Sequence, residues 1–279
     1  MKLGFSTLPC IHLSVEEIIS YCKKYKIGGI EVRVGNENSI FGHTDEENLF
    51  NIGEAFDKAG IKVLCIASSI CIKRYEPNQI HEAMEVIQRA KFVGADGTRV
   101  FLGNFARRLD DKKEPIDHQG IVQSLKELCQ YDRHFNIMVE THNEYATGEV
   151  LSKLKQEVNE PNLKFIWDII HPIEDGEDIH TTWKYIGKDI AHLHIKDGRK
   201  REDNIWHDYE YTLLGEGQLP IYEIMDILRE ENFTGFLSLE WENIWRDELK
   251  KYPSDMDFIL TMFKNYVTST KMQGNKQNG

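Results

Sequence analysis

Ile190-Ala191-His192-Leu193-His194-Ile195-Lys196-Asp197 is a strand-length run in which apolar residues alternate with His192, His194 and Lys196. Strand side chains point alternately to opposite faces, so those three polar residues share one face. Seven other short apolar runs have the same character, at residues 3–6, 29–34, 63–68, 98–102, 137–141, 165–169 and 236–240. Each is followed by a longer stretch of helical pattern, which makes eight consecutive βα units.

The helical stretches carry the 3.6-residue apolar period. In Val15-Glu16-Glu17-Ile18-Ile19-Ser20-Tyr21-Cys22 the apolar positions are 15, 18, 19 and 22. Ser14 precedes this run and Glu17 follows three residues later, a capping box. Residues 80–92, 121–131 and 221–230 repeat the pattern, and glycines such as Gly28, Gly60, Gly94 and Gly235 mark the helix-to-strand turns. Eight βα units without a Gly-rich phosphate fingerprint predict an α/β protein with a single closed (βα)8 barrel over residues 1–268. Residues 269–279 are polar, lack an apolar face and predict a flexible tail. In such a barrel the active site lies at the C-terminal face of the strands. Two long loops belong to that face: 103–117, with Arg107 and Arg108, and 198–220, with Arg199, Lys200, Arg201, Trp206, Tyr209 and Tyr211.

The chain has 279 residues, 41% hydrophobic and 29% charged, with a net charge of −12. The charge disfavours nucleic acid and anionic membranes as partners. Five cysteines, Cys10, Cys22, Cys65, Cys71 and Cys129, show no paired motif and read as reduced thiols of a cytoplasmic protein. The N-terminus reads directly as a strand rather than as a leader, and no apolar run approaches the roughly 18 residues of a membrane span.

The later runs end in metal-competent side chains. The fifth closes on Glu140-Thr141-His142, the sixth on Asp168 with His171 beyond, the seventh carries His194, and the eighth closes on Glu240-Trp241-Glu242. An ionised carboxylate at the end of an apolar strand is costly without compensation. Closing the barrel brings Glu140, Asp168, His194 and Glu240 around one axis, where a divalent cation would neutralise most of their charge. Three carboxylates and one imidazole suit Mn2+ first, with Mg2+, Co2+ or Zn2+ as alternatives. The competing structural reading is a set of buried ion pairs with nearby Lys or Arg.

Taken in order, these residues resemble the xylose isomerase-like TIM barrels, the sugar phosphate isomerase/epimerase superfamily. The resemblance rests on Gly29-Ile30-Glu31, Glu140, the Asp168/His171 spacing, His192, His194, Lys196 and Asp197, Leu214-Gly215-Glu216-Gly217, and Glu240. It implies that Glu140, Asp168, His194 and Glu240 bind the metal and that His171 touches substrate. Ketose 3-epimerases of the family use the fifth- and eighth-strand glutamates on opposite faces of the substrate, here Glu140 and Glu240. Some epimerases carry a further glutamate six residues after the first, where this chain has Ala146. The metal-dependent 3-dehydroshikimate dehydratases share the Glu140/His142 and His194/Lys196 spacings. The apurinic endonucleases of the family add histidines on the third and fourth strands, where this chain offers Ser68, Ser69, Gly103 and Asn104.

The resulting expectation is a metal-dependent isomerase or epimerase acting on a small polyhydroxylated carbonyl compound, a sugar or sugar phosphate, through a metal-stabilised enediolate. Glu140 and Glu240 are the expected catalytic pair. His142, His171, Lys196 and Arg99 are expected to bind substrate. A lyase of the dehydratase type and a non-catalytic sugar-binding barrel are the alternatives. A homo-oligomer is compatible with the sequence. His192 is expected in supporting contacts, Glu31 and Arg99 either pairing with each other or orienting substrate, and Lys196 alternatively pairing with Asp197 or Glu216. The Arg199-Lys200-Arg201 run and the aromatics Trp206, Tyr209, Tyr211, Trp241 and Trp245 either clamp and cover the site or belong to the loop surface.

Overall fold

The computed structural model describes residues 1–34, 41–42, 45–105, 114–202 and 208–274. Its strands are β1 (Lys2–Ser6), β2 (Gly29–Arg33), β3 (Lys62–Ile72), β4 (Gly97–Leu102), β5 (Asn136–Glu140), β6 (Leu163–Asp168), β7 (Ile190–Ile195), β8 (Asp197–Lys200), β9 (Tyr209–Thr212) and β10 (Phe236–Leu239). Eight of them close a parallel barrel in the order β1-β10-β7-β6-β5-β4-β3-β2. Each of the eight apolar runs becomes one barrel strand. The sequence does not reveal the antiparallel hairpin β8–β9, which rises from the loop after β7.

The helices α1 (Val15–Tyr25), α2 (Glu46–Lys58), α3 (Pro77–Phe92), α4 (His118–Tyr131), α5 (Gly148–Val158), α6 (Ile170–Glu174), α7 (Ile179–Ile186), α8 (Ile221–Glu230) and α9 (Met256–Gly274) connect and flank the strands. α1 starts on the expected capping box: Ser14 Oγ accepts from Glu17 N, and Ser14 N donates to Glu17 Oε2 at 2.8 Å. The main core lies between the barrel and the helices, and holds Trp167, Phe56, Phe165 and Phe263 among its largest buried side chains. A second, smaller cluster of Cys65, Ala67, Met138 and Ile166 fills the inside of the barrel. The stretch 269–279, read as a tail, carries helix through Gly274. Ile259, Leu260, Phe263 and Val267 anchor α9 in the core, and extending an existing helix costs little.

Gly60 and Gly94 take the left-handed conformation as expected, whereas Gly28 and Gly235 do not; after α8 that role falls to Asn232, φ 55°. α1 is capped by Lys26 in the left-handed region, φ 56°, rather than by Gly28. Gly97, at the start of β4, has no positive φ; it is required by contact. A Cβ there would lie 2.5 Å from Asn136 O and 2.7 Å from Met138 Cε, so any side chain forces β4 away from β5. These two strands carry Arg99 and Glu140, which the barrel must bring together. Gly97→Ala is therefore expected to cost about 1–3 kcal/mol by overpacking. Gly28→Ala, whose Cβ would meet nothing nearer than 3.8 Å, should leave stability nearly unchanged. Chemical denaturation of the two variants checks this, and equal midpoints would refute it.

Candidate metal centre and cavity

Four neighbouring strands deliver the site. Glu140 ends β5, Asp168 ends β6, His194 lies one residue before the end of β7, and Glu240 follows β10. Asp168 and His194 are register partners across β6 and β7. One ligand atom from each of Glu140, Asp168, His194 and Glu240 lies within 4.8 Å of the others. All four residues are buried. The arrangement predicted from the strand ends is thus present.

Buried carboxylates at this density need positive charge nearby. Arg99 Nη1 lies 2.8 Å from Glu140 Oε2 and 3.6 Å from Glu240 Oε1. Lys196 Nζ lies 2.6 Å from Asp168 Oδ2, 2.5 Å from Glu240 Oε2 and 2.5 Å from Glu242 Oε1. Two of the alternative pairings therefore do not form. Arg99 faces Glu140 rather than Glu31, and Lys196 reaches neither Asp197 nor Glu216. Asp197 follows Lys196 and so points the other way. Its carboxylate accepts from the backbone N–H groups of Gly198, Gly215, Gly217 and Leu219 and secures the loop after β9.

His194 decides whether ion pairs alone complete the site. Its Nε2 is hydrogen-bonded to Glu31 Oε2 at 2.9 Å. Its Nδ1 is buried without a hydrogen-bond partner. That nitrogen lies 3.2 Å from Glu240 Oε2, 3.8 Å from Glu140 Oε2 and 3.8 Å from Asp168 Oδ2. With Nε2–H donating to the Glu31 carboxylate, a neutral ring turns the Nδ1 lone pair toward three carboxylate oxygens. A proton or a metal ion between them relieves the repulsion. Three carboxylate oxygens and one imidazole nitrogen fit a divalent metal, and the carboxylate behind the ring is the usual support of a ligating histidine.

The proton affinities follow from burial and neighbours. Burial pushes the Glu140 carboxyl up to about 7, against the pull of Arg99 and His194. Burial also opposes ionisation of Asp168, yet Lys196 and His171 hold it below the usual carboxylate range. Glu240 stays low through His194 and Lys196 despite burial. His194 is raised, because Glu240, Glu31 and Glu140 outweigh its burial.

Above the four ligands is a cavity of about 460 Å3. Glu140, Glu240, Arg99, His142 and His171 line it, together with Glu242, Arg33 and Ser69 and an apolar wall of Leu8, Phe101, Phe105 and Trp245. Every expected substrate-binding residue except Lys196 lines it directly, and Lys196 is buried beside it under Glu240 and Glu242. His142 is packed against His171, ring centroids 4.2 Å apart, and against Phe101 at 5.1 Å. Its Nδ1 is bonded to Asn143 Oδ1 at 2.7 Å, and His171 Nδ1 to Glu174 Oε2 at 2.9 Å. In His142 this leaves Nε2 for a ligand, whereas His171 Nε2 lies 3.6 Å from Asp168 Oδ2. Burial holds His142 well below the usual imidazole range, so it is neutral.

The basic run after β7 does not line this cavity. Arg199 Nε donates to Glu216 O, Lys200 is exposed, and Arg201 faces Glu248 at 3.6 Å. Tyr211 is buried, with the Arg246 guanidinium 4.0 Å from its ring centroid, so it pins the hairpin rather than covering a ligand. Trp241 is buried, whereas Trp245 is exposed at the rim. Arg107, Arg108 and Trp206 lie outside the described residues. His192 Nε2 lies 3.0 Å from Glu31 Oε2, a supporting position as expected. Sequence reasoning missed Arg33 and Glu242. Each lies two residues beyond a glutamate already noted, and the same alternation that selected His142 and Lys196 would have found them.

Two outcomes follow for metal binding. Glu31→Gln removes the carboxylate charge behind the His194 ring and lets an amide N–H turn toward Nε2, and metal affinity should fall about 10–100-fold. Ligands must be deprotonated to bind; with Glu140 titrating at about 7, affinity should fall as the pH drops through neutrality and recover above it. Chelator competition with Mn2+ measures both. Unchanged affinity in Glu31→Gln, or affinity flat between pH 5 and 8, would contradict the assignment.

A family model described as xylose isomerase-like TIM barrel matches residues 19–262. The 3-dehydroshikimate dehydratase of Bacillus anthracis is 29% identical over 260 residues, covering 86% of this chain and 91% of that protein. The fructoselysine 3-epimerase of Escherichia coli O157:H7 is 24% identical over 140 residues, covering 47% of this chain and 48% of that protein. The chain thus spans about half the length of that epimerase in the match. A crystal structure of the IOLI protein with a bound zinc atom shares the fold, with a TM-score of 0.75 at 19% identity over 97% of this chain and 98% of that one. The relatives include both epimerases and dehydratases. With the matched model spanning most of its length, the chain belongs to the xylose isomerase-like TIM barrel family.

Proposed function

We propose that this protein is a metal-dependent isomerase or epimerase of a small polyhydroxylated carbonyl compound, a sugar or sugar phosphate. One observation carries the reading: Glu140 and Glu240, the outer members of the four-ligand arc, both line the cavity. A divalent ion held by Glu140, Asp168, His194 and Glu240, Mn2+ in the first instance, would polarise the carbonyl and acidify the neighbouring C–H. One glutamate then removes that proton, and the other returns a proton to the opposite face or to the neighbouring carbon. Arg99, buried between the two glutamates, keeps their carboxylates apart and oriented. Lys196 stays protonated among Asp168, Glu240 and Glu242, so it serves as a fixed positive charge rather than as a base. His142 and His171 offer Nε2 to substrate hydroxyls.

The position of His142 favours a second reading. It is a neutral imidazole in the cavity wall, outside the four-ligand set, with Nδ1 anchored and Nε2 available. That is the form of a group that takes the C–H proton as a base and returns it to the hydroxyl on the adjacent carbon, which then leaves as water. The similarity to a dehydratase over most of the chain supports this lyase alternative.

Chelation by EDTA is expected to abolish activity on ketoses and ketose phosphates, and added Mn2+ to restore it. In the isomerase reading, substrate C–H exchanges with D2O. His142→Asn and Lys196→Met raise KM more than they lower kcat, as expected for contacts shared by ground and transition states. If instead both variants keep KM, lose about 10²–10⁴-fold in turnover and the native product has lost water, the lyase reading replaces it. Full activity after metal removal would overturn both.

A further inference from the structure

Arg33 ends β2, the strand directly across the barrel from β6 and its Asp168. Its guanidinium lines the cavity on the wall opposite the ligand arc. Nη1 donates to Ala67 O at 2.7 Å and Nη2 to Ser69 Oγ at 2.5 Å, so the group is held in place from behind. Among the described residues no carboxylate pairs with it. The neighbouring cations are committed: Arg99 to Glu140 and Glu240, Lys196 to Asp168, Glu240 and Glu242. Burial, with Arg99 nearby, pulls the Arg33 pKa down to about 10, so it remains a cation at neutral pH.

The half-buried Arg33 guanidinium is fixed by neutral acceptors and feels Glu240 and Glu140 only across the cavity, without direct contact, and a fork of N–H donors matches a carboxylate edge-on. We propose that Arg33 is a specificity residue that receives a carboxylate of the substrate. The site then takes a polyhydroxylated ketone or aldehyde acid whose carboxylate lies at the end remote from the reacting carbonyl. Two of the guanidinium's N–H groups already serve Ala67 and Ser69. No second unpaired cation lines the cavity among the described residues. One partly committed fork suits a monoanionic carboxylate better than a phosphate dianion. Leu8, Phe101, Phe105 and Trp245 supply apolar wall between the two polar ends. The inference rests on the reading of the four-ligand arc as the end that holds the carbonyl.

The test uses the Mn2+-loaded full chain and two matched series that differ only at the terminal carbon. One is D-glucuronate, D-glucose and D-glucose 6-phosphate; the other is D-fructuronate, D-fructose and D-fructose 6-phosphate. Calorimetry should show at least one uronate binding about tenfold or more tighter than its neutral partner, the scale of one charge-assisted hydrogen bond. Arg33→Met should remove that preference while Mn2+ affinity is unchanged, and Arg33→Lys should keep part of it. A preference that survives in Arg33→Met would place the carboxylate on the metal and overturn the proposal. Tighter binding of the phosphates would overturn it, and so would the absence of any uronate preference, including no detectable uronate binding. Mn2+ affinity of the native chain and D2O exchange with D-fructose report separately on the proton-transfer reading, so either idea can fail alone.

Discussion

The hydrogen bond from His194 Nε2 to Glu31 Oε2 fixes what the rest of the centre must do. It commits one nitrogen of a fully buried imidazole and leaves the other facing three carboxylate oxygens. A buried lone pair among anions is not a stable arrangement by itself. The site therefore calls for positive charge at that point: Arg99 and Lys196 contact the same three oxygens, at 2.8 Å on Glu140 Oε2, 2.6 Å on Asp168 Oδ2 and 2.5 Å on Glu240 Oε2, yet His194 Nδ1 still has no hydrogen-bond partner. Glu31 is itself held from several sides, by Ser238 Oγ and with His192 Nε2 3.0 Å away, so the ring it supports has little freedom.

This geometry gives the barrel its division of labour. One half of the mouth, from β5 through β6 and β7 to β10, carries the acidic arc and its flanking cations. The other half, at β2 and β3, carries Arg33 and Ser69. Between them the cavity walls are aromatic and aliphatic. β4 and β5 pack closely because Gly97 has no side chain, and these two strands carry Arg99 and Glu140, 2.8 Å apart.

Much of this was legible in the sequence. Parallel strands buried on both faces read as short apolar runs, and all eight could be placed. The convergence of Glu140, Asp168, His194 and Glu240 was legible because each is a polar residue that interrupts or ends such a run. What escaped had a physical reason. The partners of Arg99 and Lys196 depend on the stagger between strands and on side-chain reach, neither of which local pattern encodes; hence the sequence left Glu31–Arg99 and Lys196–Asp197 pairing open as alternatives, and the pairs that form are others. The β8–β9 hairpin escaped because its strands are only four residues each and rich in charge. The capping of α1 by Lys26 escaped because a nearby glycine is the commoner signal.

The choice between isomerase and lyase rests on which group handles the proton, whereas the proposed metal centre is common to both readings. Its most direct measurement is the equilibrium binding of Mn2+ to chelator-stripped protein. The account predicts one tightly bound Mn2+ per chain, lost in Asp168→Asn while that variant keeps its fold by circular dichroism. Native protein that binds Mn2+ no better than Asp168→Asn would show that Arg99, Lys196 and a protonated His194 complete the site as ion pairs, and would contradict the account.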